Sequence, residues 1–155
     1  MITAGAKTSG KSDKFLKSLV KRLGGDTDIL VGVPKNAEPY PDGTSVAMVG
    51  ATHEFGGGNV PERSFLRSSF DEHQKKYIKM AQKLIKKAVD KGGDIEMVAE
   101  LIGTEAAADV VDNINAIQTP PNTDATILRK GSSNPLVDTG HLKQSIRHEV
   151  RTEKS

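Results

Sequence analysis

The chain has 155 residues, of which 35% are hydrophobic and 27% charged, and its formal net charge at pH 7 is +2. This length predicts one domain with a sizeable core, and so small a net charge does not by itself indicate nucleic-acid binding. The chain has no cysteine, which excludes disulfides and thiol chemistry and fits a reducing cytoplasm. It also lacks the apolar runs that predict a signal peptide or a membrane span.

Residues 1–11 are small and polar, and we expect a flexible tail followed by a single domain over residues 12–152. The run Gly5–Ser12 matches the nucleotide-binding pattern G-x-x-x-x-G-K-[ST]. That loop requires a buried strand before it, and the few residues upstream cannot form one. We therefore reject nucleotide binding and expect no cofactor. Helical spacing of apolar residues then predicts a helix that ends at Gly24. Its apolar residues are Phe15, Leu16, Leu19, Val20 and Leu23.

Two segments have the composition of β-strands. Residues 29–33 form a short β-branched run that Pro34 stops. Residues 146–150 alternate between apolar or histidine side chains and charged ones. We expect an α+β fold in which a small antiparallel sheet, with strands near 28–33 and 145–152, packs against several helices.

A short helix and a glycine-rich break precede the longest helix of the chain. Ser45 can cap this short helix, which should end at Phe55. Residues 56–58 are all glycine and cannot belong to a helix interior, so the backbone must break there.

The longest helix is expected over about 66–90, because the apolar residues there follow one stripe. Pro61 fixes an extended approach to it. Its first turn has two candidate caps. One is Ser64, and the other is Ser69, which has Glu72 three residues later in a capping box.

The long helix and the helix after it have opposite charges. The second helix should begin at Asp94, with Leu101 on its apolar side, and no lysine or arginine occurs from Gly92 through Leu128. A charged face is usually just solvated. So sharp a segregation also fits two antiparallel helices in one subunit, or a ring in which the basic face of one subunit meets the acidic face of the next. The sequence leaves these alternatives open. The candidate interface residues are Lys75, Lys79, Lys83 and Lys86 on the basic face and Glu100, Glu105 and Asp109 on the acidic face.

No arrangement of residues predicts catalysis or a metal site. His53 and Glu54 begin like the zinc-protease pattern H-E-x-x-H, but Gly57 occupies the position of the second histidine. The other histidines have no ligand spacing. Neither a serine-nucleophile elbow nor a pair of catalytic carboxylates is recognisable. We therefore expect no metal and no enzymatic activity.

The segment between the acidic helix and the last strand is rich in turn-forming residues. Pro120–Pro121 should stop the acidic helix. Residues 123–130 should form one or two helical turns closed by a glycine. A turn should follow within residues 136–142, with Asp138 or Thr139 as its cap.

Two distant stretches resemble one known family. Glu54-Phe55-Gly56 followed by Pro61-Glu62-Arg63-Ser64-Phe65-Leu66 is similar to the "EFG … P-x-R-x-F-L" signature of tail-completion, or neck, proteins of tailed bacteriophages. The run from Pro120 to Ile146 is similar to that family in order and spacing. The chain departs from the family at Glu62-Arg63-Ser64, where a small residue, an arginine and a proline are expected, and in its long polar N-terminal extension. The resemblance gives a structural or interface role to Glu54, Phe55, Gly56, Pro61, Arg63, Phe65, Leu66, Asp138, Thr139, Gly140 and Leu142.

The resemblance implies a structural virion protein without catalysis, a small α/β domain that assembles as a ring at the head–tail junction of a phage or prophage. Its expected partners are connector or neck proteins, tail-tube or tail-terminator proteins, and further copies of itself. It would be a monomer when free in the host cytoplasm and a homo-oligomer in the virion. The alternative is a nucleic-acid-binding module that uses the lysine-rich helix face. Exposed aromatics are not interleaved with those lysines and the chain is nearly neutral, so we expect neither nucleic acid nor a membrane as a partner.

Overall fold

The computed structural model describes residues 27–91, 93–137 and 139–152. The α+β prediction is confirmed. The predicted N-terminal tail and first helix, the G-x-x-x-x-G-K-[ST] pattern and Asp138 lie outside the described residues. The elements are, in order, β1 (Thr27–Gly32), α1 (Val46–Phe55), α2 (Phe65–Lys91), α3 (Ile95–Ala116), α4 (Asp124–Lys130), α5 (His141–Gln144) and β2 (Arg147–Thr152).

Strands β1 and β2 form an antiparallel sheet that packs against α3. Val31 lies opposite His148 in the register. His148 and Val150 are half-buried, while the charged residues between and beside them are exposed, which is the alternation that the sequence predicts. The strands expected near 28–33 and 145–152 are therefore confirmed, with ends that differ by one or two residues.

Helix α1 begins and ends as predicted. The hydroxyl of Ser45 accepts a hydrogen bond from the Met48 amide at 3.4 Å. The helix stops at Phe55 because Gly56 adopts a φ of 72°, which favours glycine. A Cβ on Gly56 would also lie 3.1 Å from the backbone nitrogen of Glu62, so a larger residue would require the two chain segments to move apart slightly.

Helix α2 has 27 residues and is about 40 Å long. It begins at Phe65, so the predicted capping box at Ser69 is wrong: Ser69 lies inside the first turns and is fully buried. Ser64 directly precedes the helix, but its hydroxyl donates to Glu54 at 2.8 Å and does not cap the helix amides. The cap comes from another part of the chain, as described below.

Helix α3 lies against both α2 and the sheet. Asp94 caps it, as predicted, by accepting from the Glu96 amide at 2.9 Å. Leu101 was expected on the apolar side but is 47% exposed, because the buried stripe runs through Val98, Ile102, Ala106 and Val110 and Leu101 lies beside it. At Gly103 the helix approaches β2 so closely that a Cβ would lie 2.5 Å from Cδ2 of His148.

The core has two clusters along the α2–α3 pair. The first lies near the start of α2 and consists of Val46, Phe65, Val110, Ile114, Leu136, Leu142 and Ile146. The second lies further along α2 and consists of Tyr77, Ala88, Val98, Ile102 and Ala106. The first cluster joins α1, α2, α3 and α5. It therefore fixes the corner between α1 and α2, which contains most of the family-like residues, meaning those that resemble the phage family.

Helix α4 is capped by Thr123, whose hydroxyl accepts from the Thr126 amide at 3.4 Å, and it ends at Gly131, as the sequence predicts. Across the described ranges 27–91, 93–137 and 139–152, no helix combines the length and apolarity needed to cross a membrane.

Candidate functional site

The carboxylate of Glu54 joins the end of α1 to the start of α2. Glu54 is 2% exposed. Its oxygens accept hydrogen bonds from the backbone amides of Leu66 at 2.8 Å and Arg67 at 3.1 Å, and from the Ser64 hydroxyl at 2.8 Å. The first amides of a helix have no partner within the helix and carry a partial positive charge. Glu54 therefore caps α2 from a position twelve residues upstream of Leu66.

Arg67 completes this junction from the first turn of α2. Its Nε donates to Glu54 Oε1 at 2.9 Å, and its Nη2 donates to the Glu54 backbone oxygen at 2.8 Å and to Glu62 Oε1 at 2.7 Å. The hydrogen bond to Glu54 raises the pKa of Arg67. The guanidinium also lies 5.1 Å from the centre of the Phe55 ring, within cation–π range. Phe55 itself is 66% exposed.

Arg63 joins the first family-like stretch to the second. It is 4% exposed, and burial lowers its pKa. Its Nε donates to the Pro120 oxygen at 2.7 Å, and its Nη2 donates to the Pro121 oxygen at 3.2 Å and to Asn122 Oδ1 at 3.3 Å. Its Nη1 lies 3.4 Å from Nδ1 of His53. One buried guanidinium thus holds a turn that is 57 to 59 residues away in the sequence.

His53 is neutral at physiological pH in this environment. Burial, followed by the positive charges of Arg63 and Lys130, lowers its pKa to about 4. A neutral ring with an unprotonated Nδ1 can accept the hydrogen bond from Arg63. The backbone oxygen of His53 also accepts from the Arg63 amide at 2.7 Å, so two contacts fix the arginine relative to α1.

The apolar family-like residues anchor the same corner. Phe65 is fully buried and Leu142 is 3% exposed, and both belong to the first core cluster. Leu66 is partly buried against that cluster. Pro61 is exposed and lies in the extended approach to α2. Phe65 and Leu142 are thus packing residues rather than surface residues.

The second stretch places Thr139 and Gly140 at the start of α5. The Thr139 hydroxyl accepts from the His141 amide at 3.4 Å, and Gly140 occupies the N-cap position with a φ of 80°. The His141 ring bonds the Glu38 backbone oxygen through Nε2 at 2.7 Å. These contacts tie α5 to the loop that follows β1.

A cleft of about 460 Å³ opens between the two stretches. Its lining includes both polar and apolar side chains from α1, the turn before α2, the Pro121–Thr123 turn, α4 and α5. Arg63 and Asn122 lie in its wall, and Arg129 and Lys130 contribute two further cationic side chains.

The charged faces of α2 and α3 meet within one chain. Nζ of Lys76 lies 2.7 Å from both Asp109 Oδ1 and Glu105 Oε1, and the Tyr77 hydroxyl donates to Asp109 Oδ2 at 2.8 Å. Burial opposes ionisation of Asp109, but hydrogen bonds from Lys76 and Tyr77 hold its pKa below the usual value. Burial, and then the bond to Asp109, raises the pKa of Tyr77. This cluster stabilises the α2–α3 contact.

The remaining interface candidates are exposed. Within the part of the chain that the structure describes, no carboxylate lies within 4.0 Å of the ammonium group of any of Lys75, Lys79, Lys83 and Lys86. Glu100 lies 2.7 Å from Nε2 of His148 and pairs with β2. Each of the acidic candidates Glu100, Glu105 and Asp109 therefore already has a partner in its own chain.

The sequence analysis did not identify Lys76 as the residue of α2 that contacts the acidic helix. It also did not identify Asn122 and the backbone oxygens of Pro120 and Pro121 as the partners of Arg63. Backbone oxygens carry no residue-type signal, so the sequence does not indicate that the oxygens of Pro120 and Pro121 bind Arg63. Among the described residues, no three or more histidine, aspartate and glutamate side chains are grouped so that they could hold a metal.

Comparison with known proteins gave no family model, no curated protein and no solved structure that matches this chain.

Proposed function

We propose that this chain is a structural protein of the virion of a tailed phage or prophage. It assembles as a ring at the head–tail junction, where it completes the tail and joins it to the head. The observation that carries this proposal is the contact between the two family-like stretches. Arg63 of the first stretch donates to Pro120, Pro121 and Asn122 of the second. The two stretches that resemble the family therefore belong to one structural unit, which supports the proposal.

The use of the polar groups at this corner supports a structural rather than a catalytic role. The Glu54 oxygens are occupied by helix amides, a hydroxyl and the Arg67 guanidinium. A carboxylate that is 2% exposed and already accepts four hydrogen bonds is poorly placed to take a proton from a substrate. The described family-like residues thus define the shape of the α1–α2 corner and the turn that meets it.

Exposed apolar side chains near this corner suit contacts with other virion proteins. Met48 and Phe55 lie about two turns apart on the same face of α1 and are 67% and 66% exposed. Leu128 on α4 is 85% exposed. Contacts of this kind with connector or tail-tube proteins would bury these side chains on assembly.

The test is to disrupt the reading frame in the genome that carries it, induce the phage, and image the particles by electron microscopy. We expect filled heads and separate tails. A plasmid copy of the wild-type chain should restore joined particles. Joined, infectious particles in the disrupted strain would contradict the proposal.

A nucleic-acid-binding module remains the second candidate, and one observation favours it. The four exposed lysines of α2 named above have no carboxylate within ion-pair distance in the described ranges. A heparin column separates the candidates. We expect elution at or below about 200 mM salt, whereas a protein that neutralises many phosphates would be retained well beyond that concentration.

A further inference from the structure

The cleft between the two family-like stretches has an excess of positive charge. Arg63, Arg129 and Lys130 line it, and Asp42 is the one carboxylate among its described lining residues. The Asp42 carboxylate accepts from the Thr44 amide at 2.9 Å, so it stabilises its own turn. Arg129 is exposed, and no described carboxylate lies within ion-pair distance of it.

Arg63 is a buried cation whose described partners are all neutral. They are two backbone oxygens, the amide oxygen of Asn122 and the imidazole of His53. A buried charge without a counter-ion is unfavourable, and hydrogen bonds to neutral groups offset only part of its desolvation. A guanidinium has five N–H groups. The contacts above engage four of them, which leaves one at Nη1 for a further acceptor.

Asn122 provides a second, independent indication. Its Nδ2 is buried and has no hydrogen-bond acceptor. Its Oδ1 accepts from Arg63, and this contact fixes which end of the amide faces the guanidinium. Buried donors in folded proteins almost always have an acceptor, so an acceptor that enters the cleft would satisfy the Asn122 amide. Arg63 and Asn122 both line the cleft, so each can contribute a donor to an acceptor that enters it.

We infer that this cleft binds a carboxylate side chain from an extended, acidic segment of a partner protein. Carboxylate is the planar acceptor that arginine pairs with most favourably. Apolar side chains in the same lining, among them Val49, Val60 and Leu136, suit an aliphatic neighbour of the acidic residue. A nucleic-acid strand would instead need a track of phosphate contacts and stacking surfaces, and a cleft of about 460 Å³ holds only a few side chains.

The inference does not rest on the proposed function, since a peptide can bind in this cleft whether or not the chain belongs to a virion. The probe is a blocked tetrapeptide of alternating aspartate and leucine, added to the full ¹⁵N-labelled chain and followed by amide chemical shifts. The matched control peptide has asparagine in place of aspartate. We expect the acidic peptide to bind at least about fivefold more tightly, with shifts concentrated at Thr44, Asn59, Asn122 and Arg129.

Two cleft variants and one control variant on α2 test the charges. Arg129→Gln should lower the affinity for the acidic peptide by about three- to fivefold, which is the range that an exposed ion pair contributes. Lys83→Gln removes the same charge from α2 outside the cleft and should leave the affinity unchanged. Asn122→Asp places a carboxylate beside Arg63 within the chain. It should abolish peptide binding and raise the urea midpoint of the free protein.

Each other outcome overturns the inference. Equal affinities for the acidic and neutral peptides would show that charge does not drive binding. Shifts confined to α2, or equal effects of Arg129→Gln and Lys83→Gln, would place the anion on the lysine face. Tighter binding of a thymidine oligonucleotide than of the acidic peptide at the same cleft residues would assign the cleft to phosphate. An Asn122→Asp variant that still binds the peptide would exclude Arg63 as its partner.

Discussion

At the scale of single residues, Glu54 shows how one buried carboxylate can replace a local helix cap. A serine or aspartate cap reaches amides two or three positions ahead of it. Glu54 lies at the end of another helix and reaches the amides of Leu66 and Arg67 across the glycine-rich turn. The cap therefore forms only when the turn has folded, which couples the two helices.

Removing that carboxylate should destabilise the fold markedly. Glu54→Ala leaves the Leu66 and Arg67 amides without their acceptor at a helix start, and we expect a loss of about 2–4 kcal/mol in the free energy of unfolding. Glu54→Gln keeps one acceptor oxygen and should lose less. Urea denaturation followed by circular dichroism measures both.

Glu62→Ala is the matched control, because the Glu62 carboxylate is exposed and bonds the Arg67 side chain alone. Its loss should stay within about 1 kcal/mol, the range of exposed pairs. Similar losses for Glu54→Ala and Glu62→Ala would show that the interhelix cap contributes little.

The depressed pKa of His53 predicts a dependence of stability on pH. The folded chain has a His53 pKa of about 4, against an ordinary value of 6.5. Between these values the unfolded chain binds a proton that the folded chain does not, so the stability present above pH 6.5 falls as the pH is lowered towards 4. After discounting for partial exposure of the ring, we expect a loss of about 1–2 kcal/mol.

Urea midpoints at pH 7.0 and 4.5 test this expectation. His53→Gln retains an oxygen that can accept from Arg63 but does not titrate, so this variant should lose less stability between the two pH values. Asp109 has a lowered pKa and titrates below its ordinary value of 3.8, mostly outside this interval. Equal losses in the wild type and His53→Gln would assign the pH dependence to other groups.

At the scale of elements, local patterns determine most of what could be predicted. The caps at Ser45 and Asp94 and the alternation in β2 each depend on residues within a few positions of one another. The start of α2 could not be predicted, because its cap is twelve residues upstream in another helix. The capping-box pattern at Ser69 is locally correct, but Phe65 packs into the core and the helix begins there.

The anchoring role of Phe65 can be measured directly. Phe65→Ala removes a fully buried ring from the first core cluster, and we expect a loss of about 3–5 kcal/mol in the free energy of unfolding. Phe55→Ala is the control, since that ring is exposed and contacts Arg67 from the surface. Its loss should be below about 1 kcal/mol. Equal losses would show that burial of Phe65 does not stabilise the start of α2.

At the scale of the whole molecule, the candidate site combines residues that only the fold brings together. The resemblance to the phage family pointed to Arg63 and to the run from Pro120 to Ile146 as separate features. Nothing in the sequence indicated that they are in contact. The partners of Arg63 are mainly backbone oxygens, which every residue has. The sequence also left open whether the charged helices meet within one subunit or between subunits. Lys76, Glu105 and Asp109 meet within one chain.

Because Lys76 pairs with α3 within the chain, reversing its charge should affect the melting temperature differently from reversing the charges of the exposed lysines. Lys79 and Lys83 have no described carboxylate within ion-pair distance, so Lys79→Glu with Lys83→Glu should leave the melting temperature of the monomer unchanged. Lys76→Glu should lower it by about 5–10 °C, because the buried Asp109 carboxylate would lose its counter-ion and face a like charge. Thermal unfolding of the two proteins makes this comparison.

Assembly gives the complementary measurement if the exposed lysine face meets an acidic face in the neighbouring subunit of a ring. In the strain with the disrupted reading frame, the Lys79 and Lys83 double variant should then fail to restore joined particles although its fold is intact. The compensating changes belong on α3 at Glu96 and Asp112, which are exposed and have no ion-pair partner among the described residues, and not at Glu100, Glu105 and Asp109, which pair with His148 or Lys76. Reversing both the lysines of α2 and the acidic residues of α3 in one chain should recover part of the joining, since the ion pairs are restored with exchanged signs.

Exposed ion pairs contribute only about 0.2–1 kcal/mol each, so several must act together and the ring should loosen in high salt. Normal joining by the double variant at low and high salt would show that these lysines form a solvated face and that subunits meet elsewhere.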